Sequence, residues 1–109
     1  MNSVSGVRKH SFEEMCNIVS PVAARYGVKK VYLFGSRARG DDREGSDYDF
    51  YIKPGNLRGL IKLSGFILTL ADALGAEVDV VPEGSADENF GKEILRDRRL
   101  VHEGRDKGS

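Results

Sequence analysis

Three short stretches limit what this chain can fold into. Lys30-Val31-Tyr32-Leu33-Phe34 is apolar, β-branched and aromatic, and it stops at Gly35. Such a run reads as a buried strand closed by a glycine. Asp47-Tyr48-Asp49-Phe50-Tyr51-Ile52 alternates carboxylate with aromatic before ending apolar, as a strand does when one side carries chemistry and the other packs inward. A third strand pattern, Ala76-Glu77-Val78-Asp79-Val80-Val81, holds an acid at its centre. The intervening segments have helical periods, so the expected class is α/β (α+β), a small mixed sheet covered by helices.

The helices are marked by their caps and stops. Ser11 with Glu14 forms a capping box for a helix to about Tyr26, with Phe12, Met15, Ile18, Val19, Val22 and Ala23 on one side and Gly27 as its stop. Pro21 lies inside it and is expected to kink or divide it, because proline removes a backbone donor and clashes with the preceding turn. After a Pro54-Gly55-Asn56 turn, Leu57, Leu60, Ile61, Ser64, Ile67, Leu68, Ala71 and Leu74 recur at helical spacing and are expected to cover the sheet. Gly59 and Gly65 weaken that helix unless a neighbour packs closely there, and Gly75 ends it. A last helix, roughly 87–97, offers Phe90, Ile94 and Leu95 to the core. Leu100-Val101-His102 adds a terminal segment in which His102 reads as a surface residue. Residues 1–10 read as a loose leader, 11–104 as one domain and 105–109 as a tail.

Chemistry concentrates after the first strand, where Gly35-Ser36 is followed by ten residues and then Asp47-x-Asp49. Without a side chain at Gly35, backbone N–H groups can approach a ligand; the Ser36 hydroxyl can bond a phosphate oxygen, and a helix starting there adds its positive end. Arg37 and Arg39 present planar forks suited to phosphate oxygens. Asp47 and Asp49, two residues apart on an extended segment, point to one face, where Mg²⁺ can join one or two carboxylates to substrate phosphates. Asp79, placed beside that strand, completes a three-carboxylate cluster able to hold two ions roughly 3.5 to 4 Å apart.

Each element has a plainer reading. A Gly-Ser step alone is commonly a turn, and its position after a strand and before Asp-x-Asp is what gives it weight. A calcium loop is a poor fit, because the acids and glycines between Gly40 and Asp49 fall out of the required order. Asp79 alone reads equally as an edge residue facing water, and Arg37 and Arg39 as surface partners of Asp41, Asp42 or Glu44.

Gly35-Ser36, the ten-residue gap, Asp47-x-Asp49 and the later Asp79 on a strand resemble the signature of the DNA polymerase beta-like nucleotidyltransferases. The run GSRARGD and the short chain are most similar to the minimal nucleotidyltransferases, stand-alone prokaryotic proteins paired with a HEPN-domain partner. The resemblance implies that fold and a set of roles. Gly35 and Ser36 hold the nucleotide's phosphates, helped by Arg37 and Arg39. Asp47 and Asp49 bridge two Mg²⁺ ions, and Asp79 binds the ion next to the attacking hydroxyl or accepts its proton. ATP is the implied substrate, and the implied activity is that of an antitoxin transferring AMP to a tyrosine of a HEPN ribonuclease toxin. Modification of a small hydroxylated molecule such as an aminoglycoside, and non-catalytic masking of the partner, are the alternatives.

Composition narrows the partners. At 109 residues the chain holds little beyond a catalytic core, so a macromolecular acceptor or a homo-oligomer must supply the rest of the acceptor surface. Seventeen basic and seventeen acidic residues cancel, which disfavours strong nucleic-acid binding and a template-directed polymerase. The single cysteine, Cys16, falls in a helical pattern and reads as a packing residue. With no signal-peptide core and no membrane-spanning stretch, the expected location is cytoplasmic.

Overall fold

A computed structural model describes residues 10–35, residue 38, and residues 47–85 and 88–104. The expectations placed on residues 1–9 and 105–109, and on Ser36, Arg37, Arg39, Asp41, Asp42 and Glu44, lie outside that set, as does the side chain of Phe90. The first helix, α1 (Phe12–Tyr26), starts at the capping box. Ser11 N–H donates to Glu14 Oε1 at 2.9 Å and Glu14 N–H to Ser11 Oγ at 3.0 Å. It ends at Gly27, whose φ of 74° allows its N–H to turn back to the Ala23 and Ala24 carbonyls.

Pro21 does not divide α1, which runs unbroken through it. Both Pro21 and the residue four before it, Asn17, are exposed. The carbonyl that proline leaves without a donor therefore faces the solvent side, where water can satisfy it.

Four strands follow the expected stretches: β1 (Lys30–Phe34), β2 (Tyr48–Lys53), β3 (Val78–Pro82) and β4 (Arg99–Glu103). They form one sheet in the order β3-β2-β1-β4. β1 pairs antiparallel with β2 and with β4, whereas β2 and β3 are parallel. Parallel neighbours need a crossover, and α2 (Leu60–Leu74) supplies it. α1 and α2 cover one face of the sheet. There Met15, Val19 and Ala23 meet Val31, Leu33, Phe50, Ile52, Phe66, Leu70 and Leu74 in the main core.

The face that α2 presents differs from the expected stripe. Leu60, Ile61 and Leu68 stand 80, 87 and 69% exposed, while Phe66, Leu70 and Leu74 are buried. This helix is apolar on more than one side, so periodicity alone admits two rotations. Contacts with α1 select one of them. Tyr26 hydrogen-bonds through its hydroxyl with Thr69 Oγ1 at 3.0 Å, its ring lies 5.6 Å from that of Phe66, and a Cβ on Gly65 would meet the Tyr26 hydroxyl at 3.3 Å. The expected close neighbour of Gly65 is thus Tyr26. Gly59 has none, and serves instead at φ 84° as the cap of α2.

The last helix, α3 (Glu88–Asp97), buries Ile94 to 1% exposure but leaves Leu95 57% exposed, against expectation. Ile94, Tyr32 and Phe34 are buried apart from the main core. Arg98, just after α3, lays its guanidinium 4.2 Å from the Tyr32 ring, which places the end of this helix on the second face of the sheet. His102, read from sequence as a surface residue, is half-buried in β4 opposite Val31, past a register shift. Strand pairing with the centre of the sheet removes it from solvent.

Candidate active site

Strand alternation decides where the acids go. In β2, Tyr48, Phe50 and Ile52 are buried and Asp49, Tyr51 and Lys53 are half-exposed. Asp49 therefore lies on the sheet face away from α1 and α2. Its pairing partner in β1 is Phe34 and its partner in β3 is Asp79, the two carboxylate residues standing side by side across parallel strands. Asp47, exposed, precedes β2 by one position. Asp79 is also exposed, on the edge strand of the sheet, beside Asp49.

Gly35 links the end of β1 to this group. Its φ is +79°, and a Cβ built on it would lie 2.6 Å from Asp49 Oδ2. Any side chain there would strain the backbone and collide with the carboxylate. The chain turns at once, with Ala38 N–H donating to the Gly35 carbonyl at 3.1 Å. Glycine is thus required at this point to seat the Asp49 carboxylate against the main chain.

The geometry brings together Gly35, Asp49 and Asp79, with Asp47 at the mouth; Ser36, Arg37 and Arg39 fall among the residues not described. No three Asp, Glu, His or Cys side chains among the described residues are grouped as a ready metal site. The donors present are carboxylates, which suit a hard cation. Mg²⁺ commonly takes only one or two of them and completes its shell with substrate phosphates and water. The residues at hand fit such an ion.

A second group on the same face escaped the sequence reading. Tyr32 and Tyr51 are cross-strand partners with rings 6.3 Å apart, and Arg98 caps Tyr32. Burial, seconded by Glu83, raises the Tyr51 pKa, so its hydroxyl stays protonated. The group draws on three elements, and no local spacing announces it. Cys16 packs against the core with its thiol pKa raised by burial, which fits a packing residue rather than a nucleophile.

The family described as polymerase beta, nucleotidyltransferase matches residues 17–107. The chain belongs to that family. This nucleotidyltransferase is 32% identical over 90 residues to a proposed protein adenylyltransferase of Methanocaldococcus jannaschii, covering 83% of this chain and 91% of that one. It is 33% identical over 73 residues to the protein adenylyltransferase MntA of Thermococcus cleftensis, covering 67% and 74%. Among solved structures, a proposed minimal nucleotidyltransferase superposes with a TM-score of 0.68 at 33% identity, over 77% of this chain and 86% of its own. A toxin-antitoxin structure with AMP-PNP gives a TM-score of 0.71 at 22% identity over 83% and 74%, a likeness of fold. Among the described residues, no helix of the nucleotidyltransferase is long and apolar enough to cross a membrane.

Proposed function

We propose that the protein transfers AMP from ATP to a hydroxyl, that of a tyrosine on a HEPN-domain ribonuclease toxin, and acts as its antitoxin in the cytoplasm. The observation that carries this reading is the pairing of Asp49 with Asp79 across parallel strands, with Gly35 letting the Asp49 carboxylate lie against the main chain. The relatives support the acceptor class, since those named are protein adenylyltransferases. One fold neighbour comes from a structure of a tri-AMPylated Shewanella oneidensis HEPN toxin in complex with its MNT antitoxin.

In this reading Gly35 and Ser36 receive the triphosphate, and Arg37 and Arg39 neutralise its outer oxygens. Asp47, Asp49 and Asp79 would hold the Mg²⁺ ions, which when bound would offset charge on the phosphates and ease loss of the acceptor proton. The tyrosine oxygen bonds to the α-phosphorus, the bond from that phosphorus to the β-phosphate bridge breaks, and pyrophosphate leaves. Asp79 takes the hydroxyl proton, or lowers the hydroxyl's pKa through the metal it helps to hold.

The test is incubation with Mg²⁺ and ATP radiolabelled at the α-phosphate, with and without the HEPN protein encoded beside this chain. Label on the partner that disappears with Asp47→Asn/Asp49→Asn supports transfer. An unlabelled partner that is still neutralised by the double variant overturns it in favour of masking.

A further inference from the structure

The sheet end opposite the carboxylates carries two adjoining depressions that nucleotidyl transfer does not use. One, of about 390 Å³, opens between the last turn of α1 and the β2–α2 loop and is lined by Arg25, Arg58, Lys62 and Asn56. None of these three cations is ion-paired among the described residues. The helix α2 also begins here with no side-chain cap and no acid in its first turn, which leaves its positive end facing the same region. The other depression, of about 250 Å³, lies across Leu57 and is walled by Pro54, Leu60, Leu63 and Pro82. Leu60 and its neighbour Ile61 are the most exposed large apolar side chains of the described residues.

Uncompensated cations beside an apolar groove call for a ligand with carboxylates along one side and aliphatic or aromatic anchors along the other. A nucleic-acid strand would satisfy the cations and leave the apolar groove unused: that groove holds no aromatic ring for a base to stack on, and Tyr26, which lines the cationic depression, has its ring against Phe66 and its hydroxyl bonded to Thr69. We infer that this end of the sheet docks an acidic, amphipathic segment of a protein partner. The inference rests on the protein-acceptor reading above and assigns the place where the acceptor-bearing protein is held. Four steps along β2 take the chain from Asp49 to Lys53, about 13 Å at ~3.3 Å per residue. A segment seated beyond Lys53 leaves the carboxylate end open to an incoming hydroxyl.

The experiment titrates the ¹⁵N-labelled full chain with a synthetic helical peptide of Glu and Leu, with its Lys-for-Glu counterpart, and with a single-stranded oligoribonucleotide. The expected result is saturable amide shifts at Arg58, Leu60, Ile61 and Lys62 with the Glu/Leu peptide alone. Affinity falls about tenfold in Arg58→Glu/Lys62→Glu and in Leu60→Ser/Ile61→Ser, while Asp47→Asn/Asp49→Asn binds as wild type does. Tighter binding of the oligoribonucleotide makes the surface a nucleic-acid site and overturns the inference. So does broadening of these amides at doubled mass without any probe, which makes it a contact between two copies, and so does the absence of saturable binding by every probe. With the HEPN protein of the labelling assay, Arg58→Glu/Lys62→Glu raises KM for that acceptor with kcat unchanged. A HEPN protein that wild type never labels defeats the functional reading alone, and the peptide titration still judges the docking surface.

Discussion

At one end of the sheet β1 stops at Gly35 and Asp49 stands beside Asp79; at the other, backbone hydrogen bonds knit neighbouring segments together. Asn56 N–H donates to the Gly27 carbonyl at 2.9 Å, Lys29 N–H to Lys53 at 2.9 Å and Gly104 N–H to Lys29 at 2.7 Å. The acids at the first end are set for chemistry, whereas the backbone bonds at the second hold the chain to itself. Removing charge at the first should therefore cost chemistry and not folding, whereas loosening the second should do the reverse.

The largest effect belongs to the carboxylates. Asp47→Asn/Asp49→Asn should lower transfer by about 10³-fold or more, since an amide cannot hold Mg²⁺ as a carboxylate does. The same variant should melt close to the wild-type temperature, because an amide keeps the size and shape of the carboxylate it replaces. A large drop in melting temperature would show that these acids also hold the fold together, and the contrast between the two ends would collapse.

Phe66 lies in the layer that both ends share, and it tests the rotation of α2. Phe66→Ala should destabilise by about 3–5 kcal/mol in denaturant unfolding, while Leu68→Ala, on the exposed side, should stay within about 0.5 kcal/mol. Equal costs would mean that the helix is turned toward the stripe expected from sequence.

That rotation marks where sequence reasoning runs out. The bounds of α1 were legible, because Ser11, Glu14 and Gly27 act within a few positions and its outer face is polar, whereas the break expected at Pro21 did not occur. β1, β2 and β3 were legible because alternation and bounding glycines are local as well. The second helix carries leucine or isoleucine on both sides, and only Tyr26, 39 to 43 positions earlier in the chain than Gly65 to Thr69, selects the buried one. At the site, the sequence placed acids on two strands, but nothing local states that β2 and β3 are parallel and in the register that sets Asp49 beside Asp79. The Tyr32, Tyr51 and Arg98 group and the burial of His102 depend on β4 and α3 returning to the sheet, which no short window contains.

Two glycines bring the comparison to a single atom. Gly35→Ala places a methyl against Asp49 Oδ2, and Gly55→Ala places one 2.8 Å from the Gly27 carbonyl oxygen. Both sit at positive φ, so each should cost about 1–3 kcal/mol in backbone strain. Their kinetics should separate. Gly35→Ala should lose transfer per folded molecule because it displaces a carboxylate, and Gly55→Ala should keep it. Matching losses of kcat would erase the distinction between the ends.

The smallest effect is a pH slope at the knitted end. His102 sits opposite Val31, and its Nε2 lies 3.6 Å from where a Cβ on Gly104 would be, so it belongs with the backbone bonds made by Gly104. Burial lowers its pKa below the ordinary 6.5, because a charged imidazole is poorly solvated there. The unfolded chain then binds a proton that the folded chain resists. Stability from this residue is complete above about pH 6.5 and is lost as pH falls from there toward the lower folded value. Denaturant midpoints measured between pH 7.5 and pH 5 should thus decline toward acid in wild type and decline less in His102→Gln. A slope unchanged by that substitution would place the acid sensitivity elsewhere.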